Sequence, residues 1–186
     1  MTTRRWVFVG SAVIVLGLAA WYLVVRQSEP PLVADLVQQF PQAVQKSNLP
    51  LDRAFAVTNV TINGETKPAI LARSSSRITW HIRPPADAWF TAYIALDPRA
   101  WALEGDGVQF RVGVSVDRSY DEPLKLLVDP RHVEGDRRWI PIAVDLSPYA
   151  DRQVELILNT DAGLDRNSTP DNDESLWGAP KIRIGR

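Results

Sequence analysis

The sequence predicts a mainly β protein in which an antiparallel jelly-roll β-sandwich follows one N-terminal transmembrane helix and a short helical stalk. Three patterns indicate this architecture. Residues 6–25 form an uncharged run, residues 26–52 carry a four-residue apolar repeat, and residues 53–186 hold about nine strand-like segments spaced roughly 8–15 residues apart. Residues 1–5 would then be a cytoplasmic N-terminus. Apolar residues make up 45% and charged residues 23% of the chain, which is typical of a globular protein.

The run at residues 6–25, WVFVGSAVIVLGLAAWYLVV, has the length of a membrane anchor. At about 1.5 Å per residue, a helix of this length spans roughly 30 Å, the thickness of the bilayer core. A cleaved signal peptide would need a small-x-small cleavage site, but residues 18–20 form a poor one and bulky Trp21 and Tyr22 follow at once. We therefore expect an uncleaved helix. Its small residues form a candidate contact face for another membrane helix: Gly10, Gly17 and Ala20.

The flanking charges predict the orientation of this helix. Arg4 and Arg5 precede it, whereas Arg26 after it is soon followed by Glu29 and Asp35. Positive residues favour the cytoplasmic side, so residues 27–186 are expected outside the cell membrane.

The charge balance argues against nucleic acid as a partner. Without Arg4 and Arg5, 19 of the 21 Lys and Arg residues remain against 22 Asp and Glu. No basic excess is left to follow a phosphate backbone. The chain has no cysteine, which excludes a lipoprotein anchor.

Residues 26–52 predict a stalk with a short helix. Four apolar residues recur there at every fourth position: Leu32, Leu36, Phe40 and Val44. Pro41 would break or kink that helix after about two turns. The helix either docks on the following domain or the membrane surface, or it is recognised by a partner subunit.

The strand pattern is clearest in residues 108–116, where apolar and polar residues alternate strictly. Alternation here and later in the chain predicts a set of core residues: Val108, Phe110, Val112, Val114, Leu156 and Leu158. Residues 139–158, WIPIAVDLSPYADRQVELIL, read as two strands joined by a wide turn, which predicts a β-hairpin. Asp145 and Ser147 are expected to hydrogen-bond the turn backbone.

Four segments carry a family resemblance, and they occur in the order SRITWHI, GDGVQF, RRWIPIAVDLSPYADRQVELILNT and LWGAP. They resemble the appended jelly-roll domains of some bacterial membrane glycosyltransferases and sulfatase-like proteins, which belong to the galactose-binding-like, carbohydrate-binding-module-like class. The resemblance covers about residues 53–184. It implies a β-sandwich that binds glycans or packs against other domains.

The segment of residues 160–178 is a candidate calcium loop because calcium prefers six to eight oxygen ligands. Its carboxylates are Asp161, Asp165, Asp171, Asp173 and Glu174. The spacing differs from that of an EF-hand, which leaves open the alternative of a hydrated loop between two strands. Two separated histidines and no cysteine argue against a transition metal.

Aromatic residues are the candidate platforms for a sugar ligand. They are Trp89, Trp101, Tyr120, Trp139 and Trp177. Each of these rings has a structural role as its alternative, either in the core or at an edge of the sandwich.

No catalytic motif stands out in the sequence. The two histidines, His81 and His132, lie in a strand and in a loop, and G-x-S-x-G, HExxH and P-loop motifs are absent. The leading hypothesis is a non-catalytic accessory or scaffolding subunit of a larger membrane complex, with an integral membrane protein as partner. A cell-surface carbohydrate-binding module is the alternative, and a hydrolase subunit is the second alternative.

Protease accessibility tests the predicted orientation. Because residues 27–186 are expected outside the membrane, protease added to intact spheroplasts should remove the domain. Full protection of the domain until the cells are lysed would contradict this orientation.

Overall fold

The computed structural model describes residues 30–73, 75–163 and 174–185. The predicted membrane helix at residues 6–25, with Gly10, Gly17 and Ala20, lies outside these residues. Within them, no helix has the length and apolar character needed to cross a bilayer. A compact unit begins at Leu32.

The described residues form β-strands and short helical turns. The strands are β1 (Leu32–Asp35), β2 (Val44–Ser47), β3 (Phe55–Ile62), β4 (Glu65–Arg73), β5 (Ser76–Ile82), β6 (Ala88–Leu96), β7 (Val108–Val116), β8 (Ser119–Val128), β9 (Ile140–Asp145), β10 (Val154–Ala162) and β11 (Glu174–Ile184). One turn of α-helix, α1 (Leu51–Ala54), precedes β3.

Two antiparallel sheets pack face to face. Sheet A has the strand order β3-β4-β11-β6-β9, and β1 also pairs with β11. Strand β6 pairs with β11 along one edge. Along the other edge, β4 pairs with the first part of β11 and β1 with the later part, so β11 is bordered on both sides. Sheet B has the order β2-β5-β10-β7-β8. The predicted antiparallel β-sandwich is confirmed.

The core lies between the sheets and follows the predicted alternation. All six predicted core residues are at most 1% exposed: Val108, Phe110, Val112, Val114, Leu156 and Leu158. Phe110 of sheet B meets Trp177 of sheet A edge to face, with ring centroids 5.1 Å apart. Aromatic pairs favour this arrangement because the positive edge of one ring meets the negative face of the other.

The helical stalk predicted for residues 26–52 is wrong in the part that the structure describes. Strand β1 joins sheet A, and β2 joins sheet B, with a 3-10 turn at Phe40–Gln42 between them. Leu36 and Phe40 are buried in the core, whereas Leu32 and Val44 are exposed. The four-residue repeat therefore reflects a turn that points two side chains inward, with Pro41 within that turn.

The hairpin predicted for residues 139–158 is also wrong. Strand β9 pairs with β6 in sheet A, while β10 pairs with β5 and β7 in sheet B. The connection crosses from one sheet to the other through a 3-10 turn at Ser147–Tyr149. Asp145 Oδ1 accepts a hydrogen bond from the Ser147 amide at 2.8 Å, as expected for the turn itself. Alternation shows which face of a strand is buried, but it does not show to which sheet the strand belongs. Because β9 and β10 face the same core, their alternation is the same in a hairpin and in a crossover between sheets.

Replacing Phe110 with Ala tests the packing of the core. The substitution removes the contact with Trp177 and leaves a cavity, so the free energy of unfolding should fall by about 3–5 kcal/mol. Chemical denaturation of the full chain in mild detergent measures this change. The matched control is Val57→Ala at an exposed position of β3, which should cost under about 0.5 kcal/mol. A loss below about 1 kcal/mol for Phe110→Ala would contradict the assignment of this ring to the core.

Candidate functional site

The outer face of sheet B carries one row of polar side chains that crosses all five strands. Strand register places these residues side by side, and we call them the basic row: Lys46, Arg77, Asn159, Arg111 and Lys125. On β5, β7, β8 and β10 their parity is opposite to that of the buried core residues, so these side chains project away from the sandwich. Lys46 pairs with Arg77 and therefore lies on the same outer face.

A cavity of about 250 Å³ opens over part of the basic row. Residues from four strands line it, among them Lys46, Ser47, Arg77, Arg111, Asn159 and Asp161. Its volume is close to the lower limit of small-molecule sites. A second cavity, beside Leu103 and Pro130, has about 20 Å³, which is room for about one water molecule.

Asn159 forms the floor of the cavity and is 3% exposed. Its Oδ1 accepts a hydrogen bond from Arg77 Nε at 2.8 Å, which fixes the orientation of the amide. Among the described residues, neither Asn159 Nδ2 nor Arg111 Nε has a hydrogen-bond acceptor. A buried donor without an acceptor costs about 1–3 kcal/mol, so a ligand oxygen that reaches these donors gains binding energy.

Two carboxylates hold the Arg111 side chain. Asp161 Oδ2 lies 2.5 Å from Arg111 Nη2, and Glu122 Oε2 lies 3.1 Å from Arg111 Nη1. Partial burial lowers the pKa of the Arg111 guanidinium, but the charge of Asp161 and then that of Glu122 outweigh this effect and leave the pKa raised. Arg111 is therefore a fixed cation in the wall of the cavity.

Tyr120 provides an aromatic surface on the same outer face of sheet B as the cavity. It is 48% exposed and its hydroxyl donates to Glu122 Oε2 at 3.2 Å, the same oxygen that contacts Arg111. Burial, and then Glu122, raise the pKa of the Tyr120 hydroxyl, so it stays protonated at neutral pH. The ring lies against Gly113, where a Cβ atom would come within 2.5 Å of the tyrosine oxygen.

Two of the five predicted platforms are buried, which corrects their assignment. Trp177 is 0% and Trp139 is 5% exposed. Trp177 faces the core, and Trp139 covers Gly178 on the outer face of sheet A while its Nε1 donates to the Glu65 carbonyl at 3.1 Å. A ring enclosed on both faces cannot stack on a sugar.

The other three predicted platforms are spread over the fold. Trp89 lies in β6 of sheet A and is partly buried. Trp101 follows a 3-10 turn after β6, packs against the core and donates from Nε1 to the Leu96 carbonyl at 3.0 Å. Tyr120 is therefore the predicted ring that lies on the outer face of sheet B, where it shares Glu122 with the lining residue Arg111.

The outer face of sheet A differs from that of sheet B because apolar side chains and Trp139 cover it. They form a second cluster that contains Ile62, Ala69, Leu71, Ala95, Trp139 and Leu176. Beside this cluster, Lys67 Nζ lies 3.4 Å from the centre of the Tyr93 ring. Lys67 and Tyr93 on this face are engaged with each other. On sheet B, in contrast, Lys46, Arg77 and the Tyr120 ring are exposed.

The structure describes two of the five predicted calcium ligands. Asp161 pairs with Arg111, and Glu174 pairs with Arg73 at 2.8 Å and with Arg99 at 3.1 Å. Asp165, Asp171 and Asp173 lie outside the described residues. Within the described part of the chain, no group of three or more metal-ligating side chains forms. Calcium binding stays a prediction of the sequence.

The residues of the basic row were not recognised from the sequence as a site. Each is a polar residue at an alternating position of a strand, which is also the pattern of an ordinary solvated face. The signal that could have found them is strand register, because register alone brings Lys46 of β2 beside Arg77 of β5.

Calcium titration tests the predicted loop. If the acidic segment binds calcium in the folded state only, Tm should rise with calcium concentration. At a calcium concentration of 100 times Kd, the free energy of unfolding should increase by about 2.7 kcal/mol. Differential scanning calorimetry of the full chain, with and without chelator, measures the shift. Asp171→Asn and Asp173→Asn together should abolish it. An unchanged Tm at millimolar calcium would contradict the prediction.

No family model matches the sequence. An uncharacterized protein of Archaeoglobus fulgidus is 38% identical over 104 residues, which is 53% of this chain and 24% of that protein. The chain thus spans about a quarter of the length of the curated relative that it matches.

Solved structures share the fold. The carbohydrate-binding module TmCBM61, in complex with beta-1,4-galactotriose, matches with a TM-score of 0.52 and 10% identity over 84% of this chain and 99% of that chain. The Clostridium perfringens ZmpB structure, an M60 catalytic domain with CBM51-1 and CBM51-2 domains, matches with a TM-score of 0.50 and 14% identity over 77% of this chain and 14% of that chain. Identities this low establish architecture alone. The chain shares the jelly-roll β-sandwich fold of these carbohydrate-binding modules, which is the fold that the sequence resemblance implied.

Proposed function

We propose that this protein is a non-catalytic glycan-binding module that holds its ligand on the outer face of sheet B. The observation that carries the proposal is the Asn159 amide, which is buried, oriented by Arg77 and left with a donor that has no acceptor among the described residues. Its Nδ2 is covered in the free protein, so a sugar hydroxyl or carboxylate supplies that acceptor once the lining side chains move aside. The exposed Tyr120 ring on the same outer face offers an apolar surface for the face of a sugar ring.

The fold supports this proposal over the accessory-subunit hypothesis. TmCBM61 was solved with a galactotriose bound, and this chain covers nearly all of that module. The accessory-subunit hypothesis rested on the helix contact face in residues 6–25, outside the described part of the chain. Display of the module outside the cell membrane, through that predicted anchor, remains part of the proposal.

The hydrolase alternative has less support from the described residues. His132 Nδ1 lies 2.8 Å from Asp129 Oδ2, and His81 Nδ1 lies 3.9 Å from Glu155 Oε1. Both histidine side chains are more than half exposed, and neither histidine is among the residues that line the cavity. A general base would have to lie within hydrogen-bond reach of a bound substrate.

Replacement of Tyr120 tests the proposed binding surface. Glycan binding by the full chain in mild detergent is measured by calorimetry, with galacto-oligosaccharides and uronic acid oligosaccharides as probes. Tyr120→Ala removes the ring and should weaken binding by about tenfold, equal to about 1.4 kcal/mol. Tyr120→Phe is the matched control, because it keeps the ring and loses only the hydroxyl that donates to Glu122.

Gly113→Ala gives a second, independent test of the same surface. Its new Cβ would push the partly exposed Tyr120 ring away from the sheet without altering the ring itself, so binding should again weaken. Binding that survives both Tyr120→Ala and Gly113→Ala unchanged would place the ligand elsewhere. Failure of every glycan to bind the unaltered protein would overturn the proposed function.

A further inference from the structure

We infer that the cavity on sheet B selects an acidic glycan, one that carries a carboxylate or sulfate group, and that Lys46 and Arg77 bind this oxyanion. The inference rests on the proposed function and deepens it by naming the class of ligand. Three observations carry it: the charge of the cavity, the pairing of like charges across its strands, and the geometry of Arg77.

The charge of the cavity is positive. Lys46, Arg77 and Arg111 line it, whereas Asp161 is the one carboxylate among its described lining residues and is already paired with Arg111. Among the described residues, neither Lys46 nor Arg77 has a carboxylate within ion-pair distance. Elsewhere, arginines such as Arg73 and Arg152 lie 2.8 Å from an acid. The cavity thus keeps two positive charges that its own side chains do not neutralise.

The register of β2 and β5 places these two charges directly opposite each other. Lys46 pairs with Arg77, and like charges at opposite positions of an antiparallel pair destabilise the sheet. An anion bound between them would remove this repulsion. The Lys46–Arg77 pair therefore destabilises the free protein, and binding of an acidic ligand between the two side chains would remove this destabilisation.

The geometry of Arg77 suits an oxyanion. Its Nε donates to Asn159 Oδ1, which anchors the guanidinium by one edge. The Nη groups remain for a ligand, since no described residue accepts from them. Two parallel N–H groups match the two oxygens of a carboxylate or sulfate. The Asn159 Nδ2 and Arg111 Nε donors belong to side chains of the same wall and are covered in the free protein.

The test compares matched trisaccharides by calorimetry on the full chain in mild detergent. The probes are a galacturonic acid trimer, its fully methyl-esterified form, and a sulfated galactose trimer. The acid trimer should bind at least about tenfold tighter than its ester, and this advantage should shrink as salt is raised because surface charges are screened.

Two substitutions test the assigned residues. Lys46→Gln and Arg77→Gln should each reduce the affinity for the acid trimer towards that of the ester, with little effect on the ester itself. Lys46→Gln leaves the Arg77 contact with Asn159 intact, so it still tests the inference if Arg77→Gln disturbs the fold. Arg131→Gln, at an exposed loop position away from the sheet B cavity, is the matched control and should change neither affinity.

The outcomes separate the inference from the proposed function. Selective binding of the acid trimer assigns the oxyanion as a carboxylate, and selective binding of the sulfated trimer assigns it as a sulfate; both support the inference. Equal binding of acid and ester together with no preference for the sulfated trimer over neutral galactotriose, or an affinity for the preferred acidic trimer that Lys46→Gln and Arg77→Gln leave unchanged, overturns the inference while glycan binding stands. Absence of binding by all probes, including neutral galacto-oligosaccharides, overturns the proposed function as well.

Discussion

The contact between Phe110 and Trp177 is the constraint on which the rest of the structure depends. The two rings lie in the interior strands β7 and β11, one from each sheet, and meet at 5.1 Å in the middle of the core. Burial of two large aromatic side chains contributes several kcal/mol, a large share of a domain's net stability. Together with the rest of the core, this packing fixes which face of each core strand is internal. It therefore also fixes which side chains are left for the outer faces.

The two outer faces are used differently. On sheet A, Trp139 covers Gly178 and joins a cluster of aliphatic side chains, so this face is closed by the chain itself. On sheet B, Gly113 accommodates the Tyr120 ring, and neighbouring positions carry cations and an amide. Arg77 holds Asn159 before any ligand arrives, which lowers the ordering cost of binding. An ordered, donor-rich face beside an exposed aromatic ring is what a glycan site requires.

Much of the fold follows from local sequence patterns, whereas the site does not. Alternation identified Phe110 and Leu158 as core residues because a strand with one buried face needs apolar residues at every second position. The same alternation could not show that β9 and β10 belong to different sheets, since both contribute to one core. A four-residue repeat is shared by helices and by turns between edge strands, so β1 and β2 were missed. Lys46 and Asn159 are far apart in sequence, and only the pairing of both strands with β5 places them in one cavity.

The most direct test of the central claim is to locate a bound glycan on the surface by NMR. An isotope-labelled full chain in detergent micelles would be titrated with a glycan that binds, and the side-chain N–H signals would be followed. If the ligand lies on the outer face of sheet B, the largest shifts should come from Asn159 Nδ2, Arg111 Nε and the backbone of Gly113. Unchanged signals at these positions, with the largest shifts instead near Leu103 and Pro130 at the smaller cavity, would contradict the account.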